Sequence, residues 1–95
     1  MEEEKYTIPS DIIELARGLN NLYKTMYIQI EPEVSYIINK KVKNVRIIEA
    51  CLDRLLDIPT DEAYILFKKL CDYYAKIDKE GAKFYLDFYE EIYGE

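Results

Sequence analysis

The stretch that decides the fold is PEVSYIINKKVKNVRIIEACLDRLLDI, residues 32–58. After its first residue it contains no Pro and no Gly, and its apolar residues recur at steps of three and four, as they do on one face of an α-helix. This stripe comprises Val34, Ile38, Val45, Ile48, Leu52 and Leu55, widened by Ile37 and Leu56. A second, weaker apolar line follows another side, at Tyr36, Ile47, Cys51 and Ile58. Because a helix with two apolar sides contacts more than one neighbour, the pattern favours a helical bundle.

One charged residue, Lys41, interrupts the stripe. In a continuous helix its ammonium group would lie near the centre of the apolar face, where an unpaired charge costs several kcal/mol unless it reaches outward to water. Either the chain breaks into two helices near residues 39–44, or one long helix keeps Lys41 for a role of its own. The residues alone leave both arrangements open.

Local signals mark another helix before the central stretch. Ser10 and Asp11 are capping residues that open an amphipathic helix. We expect this helix to end near Pro32, because proline suits the first turn of the helix that follows. Gly18 lies inside it and either permits the close approach of a neighbouring helix or is a tolerated surface glycine. Residues 1–8 are expected to form a flexible acidic lead-in.

Similar signals divide the remainder of the chain. Pro59 ends the central stretch, and Thr60 is placed to cap a third helix. A final helix is predicted over residues 82–93, terminated by Gly94. The sequence therefore predicts an all-α fold: a single domain over residues 1–95, built as a compact antiparallel bundle of four helices, or five if the chain breaks at Lys41.

The charge pattern bears on the kind of partner. The net charge of −6 divides into −3 over residues 1–31, +1 over residues 32–58 and −4 over residues 59–95. A negative surface repels nucleic-acid phosphates and attracts basic protein surfaces. Direct binding of nucleic acid is therefore disfavoured, and a protein partner with a basic surface is favoured.

The two cysteines, Cys51 and Cys71, stand beside apolar neighbours at a spacing that fits no zinc motif. We interpret them as reduced, largely buried thiols. No apolar run reaches the roughly 18 residues of a membrane span, and the acidic start is unlike a secretion signal. These features predict a cytoplasmic protein without a membrane span.

Residue types that carry catalysis are scarce. The chain has no His and no glycine-rich loop, so the commonest general base, the commonest metal ligand and a phosphate cradle are all missing. Glu49, Asp53 and Asp57 follow one another at four-residue steps, which is compatible with a metal site but more typical of a solvated helix face. The sequence therefore predicts a non-enzymatic protein without a cofactor or a bound metal.

The acidic, aromatic C-terminal helix is the best candidate for a partner-binding site. It combines rings that supply buried area with carboxylates that steer an encounter. The predicted contact residues are Phe84, Asp87, Phe88, Glu90, Glu91 and Ile92. The apolar residues of this helix cover so wide an arc that either part of it faces a partner or the helix inserts into a groove between the other three.

An alternative basic patch is formed by Lys40, Lys43 and Arg46, with Lys41 between them. It could contact phosphates or an acidic partner, or only balance the acidic helices packed nearby.

The function predicted from these features is that of a small acidic inhibitor or regulator which docks on a basic, in some cases nucleic-acid-binding, surface of another protein. Small acidic proteins of phages and mobile elements often act in this way. One alternative is a homodimeric helical subunit, in which the excess apolar arc is covered across a two-fold axis. Another is a bundle of the bacteriocin immunity kind, to which the chain is similar in size and helicity. A nucleic-acid binder that uses residues 40–46 is the least favoured.

Overall fold

The computed structural model describes residues 10–94 and the side chains of residues 17–94. The chain forms four helices over this range: α1 (Ser10–Asn39), α2 (Val45–Leu56), α3 (Asp61–Tyr74) and α4 (Lys79–Tyr93). The predicted all-α fold is confirmed for these residues, which contain no strand and no fifth helix. The lead-in predicted over residues 1–8 lies outside the described residues.

The expected helix boundary at Pro32 is wrong, because Pro32 lies inside α1. Proline cannot donate to the carbonyl four residues earlier, and inside a helix it costs about 3 kcal/mol. Here Pro32 itself is exposed. The carbonyl that loses its donor belongs to Ile28, a residue that is 58% exposed. The helix continues because Ile30 and Val34, on either side of the proline, are both buried in the core. Burial of this face offsets the local cost of the proline.

The central stretch is two helices, and the chain breaks where Lys41 interrupts the stripe. The N–H of Lys41 donates to the carbonyl of Ile38 at 3.3 Å, and the N–H of Val42 donates to that of Ile37 at 2.9 Å. This pair of bonds defines a Schellman motif, which places one residue in the left-handed conformation, usually Gly. Lys41 takes that position with a φ of 55°. Its side chain is exposed, so no ammonium group is buried in the apolar stripe.

The caps of α3 and α4 follow from local sequence. The Thr60 hydroxyl accepts a hydrogen bond from the N–H of Ala63 at 3.2 Å, which confirms Thr60 as the cap of α3. The Asp78 carboxylate accepts one from the N–H of Gly81 at 3.0 Å, so α4 begins at Lys79, three residues before the predicted start. Both caps satisfy amide groups that the first turn of a helix leaves without a partner.

The core is centred on α3, which packs against each of the other three helices. Its inward face is buried at Ala63, Leu66, Phe67, Leu70, Cys71 and Tyr74. The central stretch forms the last turns of α1 and the whole of α2. These segments pack around α3 and do not form the centre of the core. Cys51 and Cys71 are both free and buried, as predicted. Burial raises the pKa of each thiol, because it disfavours the thiolate.

The N-terminal turns of α1 extend beyond the packed helices. A helix of 30 residues is about 45 Å long, which contributes to overall dimensions of 61 × 28 × 17 Å. The apolar residues Leu15, Leu19, Leu22 and Met26 recur at steps of three and four and form an apolar stripe on this helix. Two of them, Leu19 and Leu22, are 43% and 52% exposed. Gly18 has nothing within 4 Å of a Cβ placed on it, so it does not serve the close approach of a neighbouring helix. None of the described helices is long and apolar enough to cross a membrane.

Candidate functional site

All six residues predicted to contact a partner lie on α4, and all six are exposed. At 100° per residue, five of them share one side of the helix about 140° wide. We call this side the outer face of α4; it consists of Phe84, Asp87, Phe88, Glu91 and Ile92. Glu90 points to a different side, so the structure separates it from the other five.

Three large apolar side chains form the centre of the outer face. Phe84, Phe88 and Ile92 are 62%, 39% and 47% exposed. The two Phe rings are nearly parallel, with centroids 6.1 Å apart and an angle of 11° between their planes. Phe84 also meets the ring of Tyr85 edge-on at 5.5 Å. The fold leaves much of this apolar area in water, and such clusters on a protein surface are typical of contact sites.

Carboxylates border these rings. Asp87 accepts a hydrogen bond from Lys83 at 2.7 Å, one turn earlier on the helix, and this bond raises the pKa of the lysine. The described residues form two ion pairs, Lys83 with Asp87 and Arg54 with Glu33. Within these residues Glu91 therefore has no ion-pair partner. The outer face therefore presents an apolar centre with a negative border.

Hydrogen bonds from tyrosine hydroxyls attach α3 and α4 to α2. Tyr74 of α3 donates to Glu49 at 2.6 Å, and Tyr85 of α4 donates to Asp53 at 2.9 Å. The pKa of each hydroxyl is raised, first by burial and then by the bond to a carboxylate. Two members of the acidic row on α2 are therefore structural acceptors, although Asp53 is exposed and Glu49 only partly buried. Asp57, the third member, is exposed.

Sequence reasoning missed this set of bonds. The available signal was the four-residue spacing of the acids on α2 together with the four-residue spacing of Tyr85, Tyr89 and Tyr93 on α4. The hydroxyl of Tyr93 extends the pattern by donating to the backbone carbonyl of Leu56 at 2.6 Å. This end of α4 is thus held to α2 through its backbone.

The wide apolar arc of α4 is divided between core and surface. Tyr89 turns inward, with its ring centroid 4.8 Å from that of Tyr64 and 5.1 Å from that of Phe67, both on α3. The tyrosines of α4 pack against α3 and bond to α2, while the outer face remains exposed, so the arc is not buried in a groove between the other three helices. Glu90 lies near this cluster and lines an open pocket of about 390 Å³ together with Asp61.

The alternative basic patch lies in the α1–α2 connection and the first turn of α2. Lys40, Lys43 and Arg46 are all exposed. The tertiary structure adds Lys76 from the α3–α4 connection, which lines a cleft of about 470 Å³ with Lys43. Sequence reasoning did not associate Lys76 with this patch, because the two connections are about 30 residues apart in the chain.

No group of three or more Cys, Asp or Glu residues that could hold a metal ion occurs in the described part of the chain. Comparison of the chain with models of protein families, with curated proteins and with solved structures finds no match.

Proposed function

We propose that this protein is a non-enzymatic inhibitor or regulator that docks on a basic surface of a partner protein through the outer face of α4. The observation that carries the proposal is the exposed cluster of Phe84, Phe88 and Ile92 beside Asp87 and Glu91. Aromatic anchors in the centre of a contact supply most of its binding energy, and charges at the border increase the rate of encounter.

The scaffold we propose is an antiparallel bundle, which presents the outer face on a firmly held helix. Tyr64 near the start of α3 contacts Tyr89 near the end of α4, whereas Tyr74 at the end of α3 lies beside Gly81 at the start of α4. The two helices therefore run in opposite directions. Because α4 is also bonded to α2, its backbone loses little further freedom on binding, which favours affinity.

The test is capture of a basic protein from a native lysate, followed by calorimetric titration of that protein with variants. Phe84→Ala/Phe88→Ala is expected to weaken its binding at least tenfold, since truncation of aromatic anchors commonly costs about 2 kcal/mol or more. Asp87→Lys/Glu91→Lys is expected to slow association and reverse its dependence on salt.

Tyr36→Ala/Ile65→Ala is the matched control. It removes one aromatic and one aliphatic side chain that are 60% and 67% exposed on other helices, and it should leave affinity unchanged. The proposal is wrong if the α4 variants bind the captured protein as tightly as the natural chain does, or if the control weakens binding equally.

A second candidate function, a homodimeric subunit, is favoured by the N-terminal turns of α1. Leu19 and Leu22 continue the apolar stripe of this helix where no other described helix covers them. Two copies that pair through this stripe around a two-fold axis would bury both faces at once.

Light scattering at tens of micromolar protein tests this candidate. The natural chain should have twice the mass of one 11.3 kDa chain, and Leu19→Glu/Leu22→Glu should restore the single mass. Ile28→Glu, at a residue 58% exposed on the opposite side of the same helix, should leave the dimer intact. A single-chain mass for the natural protein would rule the dimer out.

A further inference from the structure

Two connections of the bundle meet around one cleft. The α1–α2 connection contributes Lys41 and Lys43, and the end of α3 with its following turn contributes Tyr73, Lys76 and Ile77. Ile38 at the end of α1 completes the lining of this cleft of about 470 Å³. We call it the lysine cleft.

The backbone that carries two of these lysines is held in place. The Tyr73 hydroxyl donates to the carbonyl of Val42 at 2.6 Å, which ties the α1–α2 connection to α3. Val42 stands between Lys41 and Lys43, so this bond positions both. Lys41 itself adopts the left-handed conformation, where an L-residue other than Gly is strained. A strained residue held by its surroundings is often part of a functional site.

The lining itself carries only positive charge. It contains three lysines and no carboxylate. Within the described residues the ion pairs join Arg54 to Glu33 and Lys83 to Asp87, so Lys41, Lys43 and Lys76 have no ion-pair partner there. Because the three lysines line one cleft, an anion bound there would be attracted by all three.

The remaining lining is apolar. Ile38, Tyr73 and Ile77 are partly buried and line the cleft between the lysines. This combination requires a ligand with both an anionic group and an apolar body. A diphosphate carries about three negative charges at neutral pH, which matches three ammonium groups, and an attached organic group would cover the apolar lining.

We propose that the lysine cleft binds a small organic phosphate of the nucleoside-diphosphate class. A long nucleic acid is a poorer match, because Asp72, Asp78 and Glu80 lie within a few residues of the lining and the whole chain has a net charge of −6. These charges repel a polyanion that extends past the cleft but leave room for a ligand that ends inside it.

Calorimetric titration of the full chain at low salt tests this proposal, with ADP, inorganic pyrophosphate, adenosine and a 12-nucleotide RNA as probes. ADP should bind with a dissociation constant of about 10–500 μM, and pyrophosphate at least threefold more weakly for lack of the apolar group. Adenosine should not bind. Lys41→Gly/Lys43→Ala/Lys76→Ala should weaken ADP binding at least tenfold.

Two controls separate binding from folding and from net charge. Lys41→Gly alone removes one ammonium group but suits a φ of 55°, so it should weaken ADP binding without lowering the melting temperature. Lys24→Ala/Lys68→Ala/Lys69→Ala changes the charge by the same three units outside the cleft, and should alter affinity less than twofold.

Four results would overturn the proposal. The first is that ADP does not bind at 1 mM, and the second is that the control triple variant loses as much ADP affinity as the cleft triple variant. The third is that pyrophosphate binds as tightly as ADP. The fourth is that the RNA binds more tightly than ADP and that the cleft variants no longer bind the RNA. The last result would assign the cleft to nucleic acid.

Discussion

Alkaline solution is expected to unfold this protein steeply, beginning near pH 9. Burial raises the pKa of Cys71 to about 12 and also raises that of Cys51. The pKa values of the Tyr74 and Tyr85 hydroxyls are raised as well, because both are buried and donate to carboxylates. In the unfolded chain the pKa values of these groups return to the ordinary values of about 8.5 for Cys and 10 for Tyr.

The direction of the effect follows from proton linkage. A group whose pKa is higher in the folded state keeps its proton there after the unfolded chain has lost it. Its contribution to stability is fully present below the unfolded pKa and is lost as the pH rises towards the folded pKa. By pH 11 we expect a loss of roughly 3 kcal/mol through Cys71 and roughly 1 kcal/mol through each of Tyr74 and Tyr85. This is comparable with the whole stability of a small domain, about 5–15 kcal/mol.

Urea unfolding followed by circular dichroism between pH 7 and 11.5 measures the effect. Cys71→Ala should flatten the decline between pH 9 and 10, and Tyr85→Phe should flatten it above pH 10. Tyr36→Phe is the control, because the Tyr36 side chain is 60% exposed. It should leave the decline unchanged in both pH ranges. A free energy of unfolding that stays constant up to pH 11 would contradict the prediction.

Gly81→Ala is expected to destabilise the protein by about 2–3 kcal/mol, although the same change inside a helix ordinarily stabilises by about 0.5–1 kcal/mol. A Cβ at residue 81 would lie 2.6 Å from the hydroxyl of Tyr74 and 2.8 Å from a carboxylate oxygen of Asp78. Tyr74 is fully buried, and its hydroxyl is bonded to Glu49. The ring therefore has little room to move, and the added methyl group is expected to break that bond.

A double-mutant cycle isolates this contact. In a Tyr74→Phe background the hydroxyl is gone, although the ring carbon Cζ at 3.0 Å and Asp78 at 2.8 Å remain, so Gly81→Ala should then cost less than it does in the natural chain. Gly18→Ala is the matched control, because nothing lies within 4 Å of its added Cβ, and it should not destabilise the protein. Equal costs for Gly81→Ala in both backgrounds would show that Tyr74 is not the obstacle.

Some of the helix boundaries could be predicted from sequence, because the groups that set them are close together in the chain. Thr60 caps α3 through an amide three residues away, as predicted, whereas the equivalent local cap at Asp78 was missed and the start of α4 was placed three residues late. Pro32 was misjudged because the tendency of proline to begin a helix competes with burial of the residues around it. That burial depends on α2 and α3, which local signals do not contain.

The sequence analysis named all six residues of α4 as partner contacts but left their exposure open and did not predict how they group. The helical period places Phe84, Phe88 and Ile92 on one side, and it also separates Glu90 from them, which the sequence analysis overlooked. The exposure of these rings depends on which part of the arc packs inward. Tyr89 packs on α3 and Tyr85 bonds to α2, so the neighbouring side of α4 is left free.

By itself, the sequence determined that the described chain is helical, that Lys41 interrupts the apolar stripe and that α4 is both acidic and aromatic, while the break at Lys41 was one of two arrangements it left open. These properties depend on periodicity, capping and composition, which act over a few residues. Only the tertiary structure decided that α3 is the central helix, that Glu49 and Asp53 accept tyrosine hydrogen bonds, and that lysines from two distant connections share one cleft. The physical reason is that these contacts join residues about 25–40 positions apart, whose meeting depends on how the helices pack.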